Sequence, residues 1–410
     1  MSVAVRFPAG SDTTVEGLLK ELGEEPAGGR LTVGDERIRE FLTAFSRRLL
    51  RPDLARRYPE LGSLGFFLRR GEIARAVERL YDGAGGSRRA PRGLVLHFPP
   101  ANVDTIFVYS WALSALAGNR NIVRVSPRSA GAASSVLSAL NDVLAESDPV
   151  VAQTQRMITY ERDDATTAAL SAACDLRVIW GGDESVTQIR RHPLPPLARD
   201  LPFPDRSSFA AVSVDGWRAT GAQARRAAVD GFANDIFWFD QAACSSPRNL
   251  FWVGDAADVA EVRSEFMALL DEVVAERGWG VDAAMAVEKR VATYGLAATG
   301  AARRVTFAGN AVASVDLADL DAVPQRWLGA GTICHLTVGS LTELVPTIRR
   351  KDQTFAQFGF SMAELDDFVT AVAGRGVDRI VPFGSALTFA GTWDGYDLLR
   401  EFTRITTIQA

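Results

Sequence analysis

Cys244 stands in Phe239-Asp240-Gln241-Ala242-Ala243-Cys244-Ser245-Ser246-Pro247-Arg248, a short polar turn between an aromatic run and a β-like run. A thiolate is a strong nucleophile, and backbone amides in such a turn lower the cost of ionising it. The competing assignment is a buried structural thiol, common for an isolated cysteine. Cys174 precedes a strand and Cys334 sits in an apolar run, so both read as packing residues. Asn102, in His97-Phe98-Pro99-Pro100-Ala101-Asn102-Val103, lies where a strand gives way to a helix. Its amide could donate to a developing oxyanion, or cap the helix. His97 reads as a satisfied strand-end residue rather than a base. Arg124, Ser126 and Arg128 follow the run Asn121-Ile122-Val123 as a candidate cradle for a ribose or its phosphate, or as a solvated strand end. In Trp180-Gly181-Gly182-Asp183-Glu184 the glycines allow a ligand close to the backbone, or make a plain turn.

These residues need elements to hold them. Short β-like runs at 93–98, 121–125, 156–160, 176–180 and 209–214 alternate with helical patterns. Between the second and third, Ala133, Val136, Leu137, Leu140, Val143 and Leu144 recur at helical spacing. Such alternation predicts an α/β fold with a mostly parallel sheet, whose ligands bind beyond the carboxyl ends of the strands. The first 90 or so residues differ, with Arg-rich helical segments at 40–50 and 71–80, then a Gly/Ser/Arg linker at 82–92. A second αβ series follows Cys244, with strands at 249–253, 304–308 and 332–338 and a helix marked by Val259, Val262, Phe266, Leu269 and Val273. The expected divisions are a helical segment and linker (1–92), a nucleotide-binding αβ domain (93–206), a catalytic αβ domain (207–375) carrying the cysteine, and a C-terminal segment (376–410) that could serve as an oligomerisation arm.

Composition narrows the function classes. At 410 residues, 47% apolar and 23% charged, the chain has material for more than one core and is not a disordered tether. A net charge of -5 gives no global attraction for nucleic acid or an anionic membrane, so neither is expected as a partner. Three dispersed cysteines suit a reducing compartment, and no Cys/His pair has the spacing of a zinc site, so no metal is expected. The first ten residues lack an apolar leader core, and no stretch approaches the roughly 18 apolar residues that span a bilayer. A cytoplasmic protein is expected.

In order and approximate spacing, these segments resemble the aldehyde dehydrogenase superfamily, and more closely its LuxC-type acyl reductase branch. The resemblance covers residues 92–410 and includes Asp378-Arg379-Ile380-Val381-Pro382-Phe383-Gly384-Ser385-Ala386-Leu387 and Trp393-Asp394-Gly395-Tyr396, which look like that branch's C-terminal signature. It implies an aldehyde dehydrogenase-like fold: a Rossmann-type cofactor domain plus a second, catalytic αβ domain. By position, Cys244 matches the nucleophile, Asn102 the oxyanion amide, Arg124 the ribose contact, and Gly181 and Gly182 the turn near the pyrophosphate.

Two departures from ordinary aldehyde dehydrogenases point to the direction of the chemistry. Where those enzymes carry a water-activating glutamate, this chain reads Leu201-Pro202-Phe203-Pro204-Asp205-Arg206. Hydrolysis of a thioester needs that base, whereas acyl reduction does not. Around 327–333, where many place a glutamate on the nicotinamide ribose, there is no acidic residue. Pro127, between Arg124 and Arg128, falls where NAD-selective relatives often place a carboxylate, which favours NADPH. The resemblance thus implies NADPH-dependent reduction of an activated acyl group, fatty or aryl, to an aldehyde through a cysteine thioester. The donor is an acyl thioester or activated acid, with an acid-activating acyl-transfer partner and a homo-oligomer. The rivals are aldehyde oxidation, with Asp205 as base, and a noncatalytic acyl-carrying subunit.

Overall fold

Strands buried on both faces organise the chain, as parallel sheets covered by helices require. The computed structural model describes residues 1–81, 87–100, 106–127 and 131–409. The chain divides into two units, Met1–Pro204 with Phe389–Ala410, and Asp205–Thr388. No helix among the described residues is long and apolar enough to cross a membrane.

The first unit contains β1 (Ser2–Phe7), β2 (Thr13–Thr14), β3 (Ser87–Pro91), β4 (Leu94–Phe98), β5 (Arg120–Arg124), β6 (Gln155–Thr159), β7 (Leu176–Trp180) and β8 (Arg199–Phe203). Its main sheet runs β2-β1-β6-β5-β4-β7-β8, parallel from β6 to β8, with β1 antiparallel on β6. β4 comes first in the parallel set, with β5 on one side and β7 on the other. That reversal is the switch point of a doubly wound sheet, the place where folds of this architecture open a ligand crevice. The helix Ile106–Leu116 is buried all round, and its sequence is correspondingly apolar throughout.

Several elements here escape a local reading. β1 pairs with β6 some 150 residues later, and β3, inside the expected linker, pairs antiparallel with β18 (Thr403–Thr407), which follows the two-residue strands β16 (Thr392–Trp393) and β17 (Tyr396–Asp397). β8 tolerates Pro202 because it is the edge of its sheet, where a missing N–H costs no ladder bond.

The second unit contains β9 (Ser207–Ser213), β10 (Asn249–Val253), β11 (Ala302–Ala308), β12 (Val312–Leu317), β13 (Thr332–Val338), β14 (Asp352–Phe358) and β15 (Arg379–Pro382). They are ordered β11-β12-β13-β10-β9-β14-β15, and every neighbouring pair except β11/β12 is parallel. On one face Trp217, Phe232, Trp252 and Phe266 pack together under the helices Ala222–Phe237 and Ala256–Arg277. On the other, Phe209, Phe251, Phe355 and Phe368 form a second core. β10 lies at the centre of the sheet, and Cys244 precedes it by a few residues.

Candidate functional site

The chain reaches Cys244 through a strained approach. After the helix Ala222–Phe237, three successive non-glycine residues, Phe239, Asp240 and Gln241, adopt φ of 54°, 52° and 58°. The left-handed region costs an L-residue roughly 1–2 kcal/mol, so other contacts must hold this stretch. Gln241 supplies them. Its buried Nε2 donates to the carbonyls of Thr332 (2.9 Å) and Pro247 (2.7 Å), while its Oε1 accepts from Thr332 N (3.0 Å). The side chain thus pairs with the first residue of β13 as a neighbouring strand would. Trp327 Nε1 adds a bond to Asp240 O at 3.2 Å.

Both peptide groups beside Cys244 are also fixed. Ser246 N donates to Ala243 O at 3.1 Å, and Ser208 Oγ donates to Cys244 O at 2.7 Å. Cys244 itself is half-buried, whereas Cys174 and Cys334 are buried. Burial pushes both of those thiols up to about 12, which leaves them protonated and inert.

Arg248, four residues on, is buried. Its N–H donates to Ser208 O (3.0 Å), and Nη1 donates to Gln325 O (2.8 Å). Burial holds its guanidinium below the ordinary value, and the charges of Asp205, Cys244 and Asp352 push back. Coulombic coupling is mutual, so the same cation favours charge on Cys244. Asp205 is engaged elsewhere as well, accepting from Lys351 Nζ at 3.1 Å.

Asp235, on the last turns of the helix before Cys244, accepts from Gly384 N (2.7 Å) and Ala386 N (3.1 Å). Burial pushes its carboxyl up to about 7 despite those bonds. The helix and the 383–387 turn also meet backbone to backbone. A Cβ on Gly231 would lie 3.0 Å from Gly384 Cα and from Phe383 O.

In the first unit, Arg124 closes β5, with its guanidinium over the Tyr160 ring at 4.9 Å and a 3.4 Å bond to Tyr160 O. Ser126 is partly exposed beside Pro127, and Gly181 and Gly182 follow β7. β4 separates β5 from β7, so the ends carrying Arg124 and Gly181 are roughly 10 Å apart at the usual strand spacing. Asn102, after β4, and Arg128 lie outside the described residues. His97 is buried, its ring nitrogens 3.2 Å from Ser110 Oγ and 2.9 Å from Asn121 Oδ1, and burial lowers its pKa to about 4. It is a neutral core residue and no base.

Reading the sequence alone singles out Cys244 but not Ser208, the clamp of Gln241, the charge of Arg248 or the anchor of Asp235. Only Gln241 and Arg248 leave a local signal, as polar residues at fixed distance from the cysteine. The partners of Ser208 and Asp235 are remote in sequence.

A family model described as Acyl-CoA reductase (LuxC) matches residues 74–405. Long-chain acyl-protein thioester reductase 2 of Photobacterium leiognathi is 27% identical over 170 residues, 41% of this chain and 34% of that protein. The long-chain acyl-protein thioester reductase of Photorhabdus laumondii subsp. laumondii is 25% identical over 339 residues, 77% of this chain and 63% of that protein. The chain thus spans between a third and just under two thirds of these relatives' lengths. A solved NAD-dependent aldehyde dehydrogenase from Sinorhizobium meliloti superposes with a TM-score of 0.66 at 14% identity, covering 92% of this chain and 82% of that one. At that identity the likeness is one of fold.

Proposed function

Because the chain belongs to the acyl-CoA reductase (LuxC) family, we propose that it reduces an activated acyl group to an aldehyde through a thioester on Cys244, with NADPH as reductant. The observation that carries this reading is the setting of Cys244. It is the half-buried thiol of the three, in a turn braced by Gln241 and Ser208 and coupled to the Arg248 cation.

In the first step the Cys244 thiolate attacks the carbonyl of an acyl thioester, forming one C–S bond while the donor's C–S bond breaks. The donor leaves as a thiolate and takes a proton from solvent. The oxyanion between these states is assigned to the Cys244 backbone N–H and, on the family resemblance alone, to the Asn102 amide; a single such donor is worth about two to three orders of magnitude in rate. NADPH, when bound, supplies the two electrons and one hydrogen that the acyl carbon needs. Cys244 then departs as thiolate, leaving the aldehyde. The balance is acyl thioester, NADPH and one proton giving aldehyde, thiol and NADP+.

The residues of the first unit fit a dinucleotide. The switch point lies at β4, Gly181 has φ +157°, and a Cβ at Gly182 would meet nothing within 4 Å, so the turn is open to close approach. Asp183 and Glu184 open the next helix and disfavour a phosphate on its first turn. The cationic contacts therefore fall to Arg124 and Arg128, with Ser126 beside them. No carboxylate stands between these arginines to repel a 2'-phosphate.

Two features support reduction over hydrolysis. In the segment 201–206, where ordinary aldehyde dehydrogenases carry a water-activating glutamate, Phe203 stacks on Trp180 at 3.8 Å, and Asp205 is paired with Lys351. The substrate class we assign is a fatty acyl thioester, with an aryl donor as the variant to test. It is delivered by an acid-activating protein to a cytoplasmic homo-oligomer. Incubation with acyl thioesters and NADPH should yield aldehyde, and Cys244→Ala should abolish both the acyl adduct and turnover. Free acid without aldehyde, or turnover retained in Cys244→Ala, would overturn the reading.

A further inference from the structure

Ser208 lies at the second residue of β9, fully buried, 36 residues before the cysteine in sequence. Its hydroxyl is polarised from one side and used on the other. Thr354 N donates to Ser208 Oγ at 3.1 Å, and Ser208 Oγ donates to Cys244 O at 2.7 Å. Its own carbonyl accepts from Arg248 N at 3.0 Å. One residue therefore ties the nucleophile's carbonyl to β14 and the start of β10 to β9. The opposite peptide is held by Ser246 N on Ala243 O. With both flanking peptide planes fixed, the direction of the Cys244 N–H and the origin of its side chain follow from the sheet itself. A three-residue positive-φ stretch leading into the turn would otherwise have cheaper conformations to relax into.

We propose that Ser208 is a positioning residue for the nucleophile: the hydrogen-bond relay from Thr354 N through its hydroxyl to the Cys244 carbonyl presets the orientation in which the thiolate meets an acyl carbonyl. It touches neither substrate nor cofactor. Its effect belongs to the acylation step, where a misaligned nucleophile loses the advantage of a preorganised attack geometry. This inference rests on Cys244 being the acyl-accepting thiol.

The test compares two rates on the same sulfur in the full chain, for wild type, Ser208→Ala and Ser208→Thr. Alkylation by iodoacetamide needs an accessible thiolate and little orientation. Acylation by an acyl thioester, followed by intact mass at short times, needs the carbonyl aligned. The expected result is that Ser208→Ala acylates ~10–100-fold more slowly while its alkylation rate stays within about 2-fold, and Ser208→Thr, which keeps the hydroxyl, recovers acylation to within about 3-fold. Alkylation of the buried Cys174 and Cys334 in the same samples reports the unfolded fraction, and both rate constants are corrected for it, so lost stability alone does not change their ratio. An unchanged ratio in Ser208→Ala overturns the proposal, as does a folded Ser208→Thr as slow as the alanine variant. If wild type alkylates at Cys244 yet forms no acyl adduct there, the nucleophile assignment falls, and Ser208's role with it. That outcome is distinct from normal acylation that ignores Ser208.

Discussion

A thiol is a useful nucleophile only where its charge is tolerated, and burial sets two of the three cysteines aside on that criterion. Cys174 and Cys334, held at about 12 by burial, have negligible thiolate at neutral pH. Iodoacetamide on the native protein should therefore modify Cys244 first and leave the other two intact until unfolding, as peptide mapping would show. Arg248 makes the argument electrostatic. Replacing it with Gln removes a buried cation coupled to the sulfur, so the midpoint of the alkylation pH profile should rise, by about 1 unit, equivalent to about 1.4 kcal/mol. Arg248→Lys should recover part of that shift. An unmoved midpoint in Arg248→Gln would show that backbone amides alone carry the thiolate. Cys244 was legible in the sequence because its turn is a contiguous motif. Ser208 was not, because a serine opening an apolar strand looks like any other until the sheet brings it beneath the turn.

Among the elements, strands buried on both faces read most directly. The runs at 176–180, 249–253 and 332–338 coincide with β7, β10 and β13, since a short run dominated by branched and aromatic apolar residues has few alternatives to a central strand. Pairings decided at long range, such as β1 on β6 and β3 on β18, had no local signature. Asp235 is of the same kind, a carboxylate on one helix held by a turn some 150 residues away. Its folded pKa of about 7 lies above the ordinary aspartate value of 3.8, so the native state holds the proton more tightly. Its contribution to stability is fully present below about pH 4 and is lost as pH rises towards about 7, after which it is flat. Between pH 5 and 7.5 that loss is roughly 2–3 kcal/mol, and Asp235→Asn should remove it. Thermal melts at the two pH values would check this, with equal slopes for wild type and variant counting against the assignment. Gly331→Ala tests the loop that Gln241 grips. With φ of +67° and a Cβ only 2.1 Å from Ala311 O, the substitution should lower stability by roughly 2–4 kcal/mol.

The whole molecule is asymmetric in how its two units are threaded. Asp205–Thr388 is continuous, whereas the other unit is completed only by Phe389–Ala410. That return is a structural part of the first unit. β18 pairs with β3, Phe402 O accepts from the buried Asn119 Nδ2 at 2.9 Å, and Trp393, Leu398, Leu399 and Phe402 are buried. Asn119 also accepts from Arg92 N and Gly93 N at the entrance to β4, so the C-terminal segment secures the first strand of the parallel set. Burial of those four side chains is worth roughly 6–12 kcal/mol at about 1.5–3 each, comparable with the whole stability of a typical domain. Removing residues 389–410 should therefore unfold the unit that carries Arg124, Ser126, Gly181 and Gly182, while leaving the sheet that holds Cys244 intact. In the full chain, NADPH at about a hundred times its Kd should stabilise by about 2.7 kcal/mol. In the truncated chain, NADPH should no longer shift the melting curve, yet Cys244 should still outrun Cys334 in alkylation. A retained NADPH shift would mean that β4, β5 and β7 hold together without the returning segment, and that Asn119's bond to Phe402 is dispensable.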